Sequence, residues 1–301
     1  MLFKQAAEWR KTARSLILKS GPGAVCCPMI LWLRKLVKAL ATAFALLALL
    51  LASCQSKILY QPRSYAPATI AQEDAEELAY ITDQGTQRAW IHPAKAVDTG
   101  TVWLVFGGNG TVALDWPGWL PLRQGRTFVL VDYPGYGASE GRPTPGHLRD
   151  SIRALLPALA THWKTTPEAL QPRLRVFGHS LGAAAALMAM NELSIQRGLL
   201  LVPFTRMKDM AQRVVGWPLC EVLHHRYDNI AELERLQKRG GSRVIICHGT
   251  VDEVIPVEQG RRLGQLFPEL VSYEDLPGAR HNRVLSTHRT ELHALMDQLE
   301  R

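Results

Sequence analysis

Gly178-His179-Ser180-Leu181-Gly182 sets a serine between two glycines, directly after the apolar Val176-Phe177 and directly before the small-residue run Ala183 to Met190. A serine hydroxyl is a weak nucleophile until a histidine takes its proton and an acid holds that histidine. The chemistry on offer is therefore covalent catalysis. A strand entering Ser180 and a helix leaving it would put the hydroxyl on an exposed, strained turn, where a Cβ on either flanking glycine would collide with backbone. With such a turn the order along the chain is serine, acid, histidine. Asp252 lies in His248-Gly249-Thr250-Val251-Asp252-Glu253-Val254-Ile255-Pro256, after the apolar run Val244 to Cys247. His281 follows Leu276-Pro277-Gly278-Ala279-Arg280. Ser180 is thus expected as nucleophile, Asp252 as orienting acid and His281 as general base. Glu253 is the alternative acid, and its apolar neighbours Val254-Ile255 favour a solvent-facing side chain instead.

The same five-residue pattern recurs at Gly137-Ala138-Ser139-Glu140-Gly141, but Arg142-Pro143-Thr144-Pro145 follows it where a helix would have to begin. Proline blocks an immediate helix, so Ser139 is the weaker nucleophile candidate. A developing oxyanion needs donors, and Phe106-Gly107-Gly108-Asn109-Gly110 offers a flexible turn from which the Asn109 N–H could meet that of Leu181. A phosphate cradle would require a Gly-Lys-Ser/Thr sequence that does not follow. Among the other histidines, His179 is expected to point away from its neighbour's hydroxyl, His248 ends the strand before the acid loop, and His288 and His293 read as surface positions. His224-His225 lacks ligand spacing, because adjacent helical residues face different ways. No metal, nucleotide or organic cofactor is implied.

These groups need a scaffold that delivers them to one place. Apolar runs at Thr101 to Phe106, Thr127 to Asp132, Leu174 to Gly178, Gly198 to Val202, Arg243 to His248 and Leu270 to Glu274 show little alternation, as strands buried on both faces do. Between them, His147 to Trp163, Leu181 to Leu193, Pro256 to Phe267 and Arg283 to Leu299 have helical spacing, with Pro157 expected to kink the first. This alternation predicts an α/β fold, a mostly parallel central sheet with helices on both faces. Glu77 to Ile81 and Gln87 to His92 add a hairpin in front. The stretch 203–239 exceeds an ordinary crossover and reads either as a lid or as a crossover helix with an added surface helix. Its Phe204, Met207, Met210 and Trp217, with Trp116 and Trp119, favour an acyl chain in the substrate.

The chain of 301 residues carries a formal charge of +8, yet eight of its 35 Lys and Arg and one of its 27 Asp and Glu precede Cys54. The remainder is close to neutral, without the footprint of a nucleic-acid binder. Arg34, Lys35 and Lys38 precede an apolar run from Ala39 to Leu51, about 13 residues where a membrane span needs about 20. Residues 1–53 therefore read as a leader, with Met29 the better initiator, and the single-pass anchor is the alternative. Leu51-Ala52-Ser53-Cys54 resembles the lipobox of bacterial lipoproteins. That resemblance implies a lipidated Cys54 at the mature N-terminus and attachment to a membrane surface of the cell envelope. Gln55 in place of Asp implies the periplasmic face of the outer membrane. Residues 54–72, with Pro62 and Pro67, read as an extended tether, and 73–301 as the catalytic domain. Cys220 and Cys247 are the two cysteines of that domain, and spacing leaves their pairing open.

Together the turn at Gly107 to Asn109, the loop Asp132-Tyr133-Pro134-Gly135-Tyr136-Gly137, the Ser180 turn and the Asp252 and His281 loops resemble the α/β-hydrolase superfamily. Within it they are similar to membrane-tethered hydrolase-domain proteins related to acylglycerol lipases and depalmitoylases. The resemblance implies a serine hydrolase acting on a carboxylic ester or thioester. An acyltransferase with the same three residues and a scaffold that lost activity are the alternatives. Two departures stand out: Gly107 takes the place of a frequent histidine, and Arg280 sits beside the base, where it could tune His281, meet an acidic substrate group or be solvated.

Overall fold

The structure, a computed structural model, describes residues 28–66, 70, 74–94, 100–116 and 125–301. It divides into two compact units, 1–53 and 54–301. In the first, helix α1 (Pro28–Leu59) begins, and its stretch Leu31–Leu59 is apolar and long enough to cross a membrane. Trp119, and Pro67 of the expected tether, lie outside the described residues.

The second unit is built on one eight-stranded sheet of order β1-β2-β4-β3-β5-β6-β7-β8. Its strands are β1 (Glu76–Thr82), β2 (Gly85–His92), β3 (Val102–Phe106), β4 (Thr127–Val131), β5 (Leu174–His179), β6 (Arg197–Leu201), β7 (Arg243–Gly249) and β8 (Val271–Leu276). β1 and β2 pair antiparallel, as do β2 and β4, and every later pair is parallel. The central strands carry the buried continuous runs that parallel strands need: every residue of β3 is buried. One apolar layer contains the buried faces of α2 (Pro145–His162), α3 (Leu181–Glu192), α5 (Asn229–Arg239) and α6 (Val257–Leu266), while the other contains that of α7 (Arg289–Glu300). Both faces of the sheet are thereby covered, as the alternation of strands and helices required.

Local chemistry sets the helix ends. Thr144 caps α2 by accepting from the His147 N–H, with Pro145 at the first helical position, and Asp228 caps α5 by accepting from Ala231 N–H. The expected final helix is interrupted: a single turn at Val284–Thr287 ends where His288 departs from helical geometry, and α7 starts afresh. Ser286 and Thr287 both donate their hydroxyls to the Arg283 carbonyl, drawing the backbone into a local turn. In the stretch 203–239, α5 is the crossover helix, burying Leu233 and Leu236, whereas α4 (Met207–Val215) buries no residue completely and is the addition.

Residues 55–65 depart from the extended spacer expected of the tether. Gln55 and Tyr60 are buried, and the Tyr65 hydroxyl donates to Asp132. Backbone carbonyls and N–H groups of the body supply many of these partners, and hydropathy does not display them. Cys220 and Cys247 are buried free thiols.

Candidate active site

β3 and β5 are neighbours in the sheet although β4 follows β3 in the chain, so β3 is flanked by connections that leave in opposite directions. A crevice opens at the carboxyl ends of strands at such a switch point. The turn after β3 holds Gly107 to Asn109, the turn after β5 holds Ser180, and the loops after β7 and β8 hold Asp252 and His281.

Ser180 has φ 57° and ψ −117°, outside the regions an L-residue ordinarily occupies. Close packing enforces this. A Cβ on Gly178 would stand 2.3 Å from the Gly182 carbonyl oxygen, and one on Gly182 would stand 2.0 Å from the Phe106 oxygen. The Ser180 N–H donates to the Leu201 carbonyl at 2.9 Å, tying the turn to the next strand. Alanines 183 to 186, all buried, let α3 lie against the sheet.

The three predicted residues meet. The Ser180 hydroxyl stands 3.0 Å from His281 Nε2, and His281 Nδ1 stands 2.8 Å from Asp252 Oδ2. With the carboxylate accepting from Nδ1–H, Nε2 is left free to accept the serine proton. Asp252 is itself fixed, because its Oδ1 accepts from the Val254 and Ile255 N–H groups, each at 2.8 Å. Burial pushes the Asp252 carboxyl up, but His248, His281 and the Ile255 N–H outweigh it and hold the carboxyl well below the usual range. His248 Nε2 lies 3.5 Å from Asp252 Oδ2 and donates to the Ile255 carbonyl at 2.9 Å, so this histidine supports the acid loop from behind.

Glu253 does not reach the histidine ring. Its Oε2 accepts from the His281 backbone N–H at 3.3 Å, and its Oε1 pairs with Arg280 Nε at 3.3 Å. Arg280 is thereby placed at the surface against Glu253. Ser139 also lies apart: its hydroxyl accepts from the Arg88 N–H at 2.9 Å and donates to the Asp132 carbonyl at 3.4 Å.

Neither the Asn109 nor the Leu181 backbone N–H bonds to another described residue, which leaves both available to an incoming oxygen. The Gly107 carbonyl accepts from the Tyr133 hydroxyl, so the loop around Asp132 braces this turn. His225 bonds through both ring nitrogens, to Tyr60 and Ser56, and among the described residues no cluster of three His, Cys, Asp or Glu could hold a metal. Of the aromatic candidates, Phe204 and Trp116 belong to the core, the latter edge-on to Phe177 and His179, while Trp217 is exposed.

His179 is the residue the sequence left without a task. It points away from the serine hydroxyl as expected, and its Nε2–H donates to the His281 carbonyl at 3.0 Å, with the two rings 5.1 Å apart. Burial and the neighbouring His281 push its pKa down to about 4, so it stays neutral beneath the base. The variable position of the motif gave no signal for this.

A model of the alpha/beta hydrolase family matches residues 104–297. An uncharacterized protein of Mycobacterium tuberculosis is 29% identical over 208 residues, covering 64% of this chain and 67% of its own. The alpha/beta hydrolase domain-containing protein 17C of Xenopus tropicalis is 29% identical over 189 residues, 63% of this chain and 54% of its own length. Among solved structures, the esterase Pf2001 of Pyrococcus furiosus superposes with a TM-score of 0.60 at 14% identity, covering 80% of this chain and 94% of the esterase.

Proposed function

The chain belongs to the alpha/beta hydrolase family, and from that premise we propose that it is a serine hydrolase cleaving a carboxylic ester or thioester through an acyl-enzyme on Ser180. The observation that carries this reading is the continuous hydrogen-bonded run Ser180–His281–Asp252 at the carboxyl ends of three strands. As Ser180 Oγ attacks the carbonyl carbon, its proton passes to His281 Nε2, and Asp252 stabilises the imidazolium without taking the proton. The carbonyl oxygen gains its negative charge between the Asn109 and Leu181 N–H groups. His281 then returns the proton to the departing alcohol or thiol. Water attacks the acyl-enzyme by the reverse sequence, releasing the acid and free Ser180.

Fluorophosphonate labelling of the full chain in detergent tests this reading. Labelling is expected in the wild type and in Ser139→Ala, and its absence in Ser180→Ala; a folded wild type that takes no label overturns the proposal. An acyl-chain preference rests on Met207 and Met210, which pack against the core from the surface side, now that Phe204 and Trp116 are core. A nitrophenyl ester series with its optimum at acetate would remove that preference.

The lipid attachment proposed for Cys54 is supported by the residues before it and by the compact unit that starts there. We assign the mature protein to the cell envelope, anchored on the periplasmic face of the outer membrane. Mass spectrometry of the N-terminal peptide is expected to show a diacylglycerol on Cys54. A retained apolar segment with an unmodified thiol would establish the single-pass anchor instead.

A further inference from the structure

The last residues of α1 and the segment that follows it are bonded to two parts of the catalytic unit. Towards the stretch 203–239, Gln55 donates to the Val222 carbonyl at 2.9 Å and accepts from the His224 N–H at 2.6 Å. The Tyr60 hydroxyl stands 3.0 Å from His225 Nδ1 and 3.0 Å from the Tyr227 hydroxyl. Towards the turn after β3, the Asn109 carboxamide is held at both ends. Its Nδ2 donates to the Leu59 carbonyl at 2.8 Å, and its Oδ1 accepts from the Gln61 N–H at 3.0 Å and from the Tyr136 hydroxyl at 2.8 Å. Arg63 adds a bond to the Gly110 carbonyl at 3.1 Å and an ion pair with Asp115 at 2.7 Å.

A turn made of Gly107, Gly108, Asn109 and Gly110 has one side chain with which to fix its backbone, and glycine resists ordering more than any other residue. That one side chain is spent on the segment and on Tyr136. An oxyanion donor works only when it is already in place as charge develops, since a swinging N–H must first be ordered.

We propose that Leu59, Gln61 and Tyr136 are positioning elements of the acyl-transfer site: by pinning the Asn109 carboxamide they fix the Asn109 backbone N–H as an oxyanion donor. This rests on the serine hydrolase reading of Ser180. It gives the junction at the end of α1 a share in the reaction and makes the Asn109 side chain a clamp rather than a substrate contact.

Asn109→Ala keeps the backbone donor and removes the clamp, so it separates the two roles. With the full chain in detergent and nitrophenyl butyrate as substrate, Asn109→Ala and Tyr136→Phe should each lower kcat about tenfold or more while KM stays within about twofold, the pattern of an interaction made only in the transition state. The double variant should be little worse than Asn109→Ala alone, because both act through one carboxamide. Hydrogen exchange should quicken at residues 107–110 in both. Tyr60→Phe, which loses only the bonds to His225 and Tyr227, should keep kcat within about twofold. Unchanged kcat in Asn109→Ala, fully additive losses, or an equal loss in Tyr60→Phe each overturn the clamp while Ser180-dependent turnover in the wild type stands. A wild type without Ser180-dependent turnover overturns the hydrolase reading itself and the inference with it.

Discussion

At Ser180 the serine itself carries the positive φ, 57°, and its two flanking glycines are there because no Cβ fits. In the second copy of the same pattern the glycines carry it, Gly137 at 58° and Gly141 at 92°, and Ser139 is conformationally ordinary. The second residue of the pattern is His179, under the base, in one copy and Ala138 in the other. The fourth is Leu181, the first residue of α3, against Glu140, whose Oε2 accepts from the Thr86 N–H at 2.7 Å. One copy stores strain at the candidate nucleophile; the other uses its hydrogen bonds to stitch a loop to the hairpin. Five letters specify a reactive serine only where a strand ends beneath them and a helix starts behind them.

The sharpest contrast is between the serines. Ser180→Ala should lower turnover by roughly a million-fold and leave the fold intact. Ser139→Ala should leave kcat of the folded protein within about twofold and cost about 1–2 kcal/mol of stability, because it strands the Arg88 N–H. Denaturant titration beside steady-state kinetics reads both, and a large kcat loss in Ser139→Ala breaks the comparison.

Each copy also has a carboxylate. Asp252→Asn should lower kcat about ten-thousand-fold by fixing the wrong histidine tautomer. Asp132, which accepts from Trp90, Tyr65 and the Ala113 N–H, should when replaced by Asn cost stability, about 3 kcal/mol, and little kcat. Their pH signs are opposite. Asp252 is held low in the fold, so its stabilisation is present above the unfolded value of about 3.9 and is lost as pH falls towards the folded one. Burial holds Asp132 high, against the pull of its donors, so it favours the folded state least once pH has risen through its folded value. Unfolding free energies of the wild type and Asp252→Asn should therefore converge below about pH 4.

A smaller effect separates His179 from Ala138. His179 is neutral in the fold down to about 4 whereas the unfolded chain takes up a proton near 6.5, so stability should rise between these pH values, by about 3 kcal/mol in all. His179→Gln should flatten that rise; an unchanged profile sinks the assignment. Smallest is Glu140→Ala, expected to cost about 1 kcal/mol with kcat unchanged, readable as a lowered melting temperature.

The sheet was legible because buried parallel strands announce themselves as unbroken apolar runs, and the candidate site's meeting of three side chains was legible because each follows such a run at a strand's carboxyl end. What stayed hidden was held by polar contacts. Residues 54–72 read as a spacer because Pro62 and Pro67 disfavour helix, yet Gln55, Gln61 and Arg63 dock through bonds to the Val222 and Gly110 carbonyls and the Asn109 carboxamide. Periodicity likewise carried the last helix straight through His288, because Ser286 and Thr287 reveal their competition for the Arg283 carbonyl only once the backbone is folded.

The backbone at residue 180 also restricts which side chains could serve as the proposed nucleophile. At φ 57° a side chain branched at Cβ crowds the preceding turn, whereas an unbranched one is tolerated. Cysteine meets that demand as serine does, and threonine does not. The choice of nucleophile is thus narrowed by conformation before reactivity is consulted: a thiol could inherit this elbow intact, while a secondary alcohol would have to unbend it first.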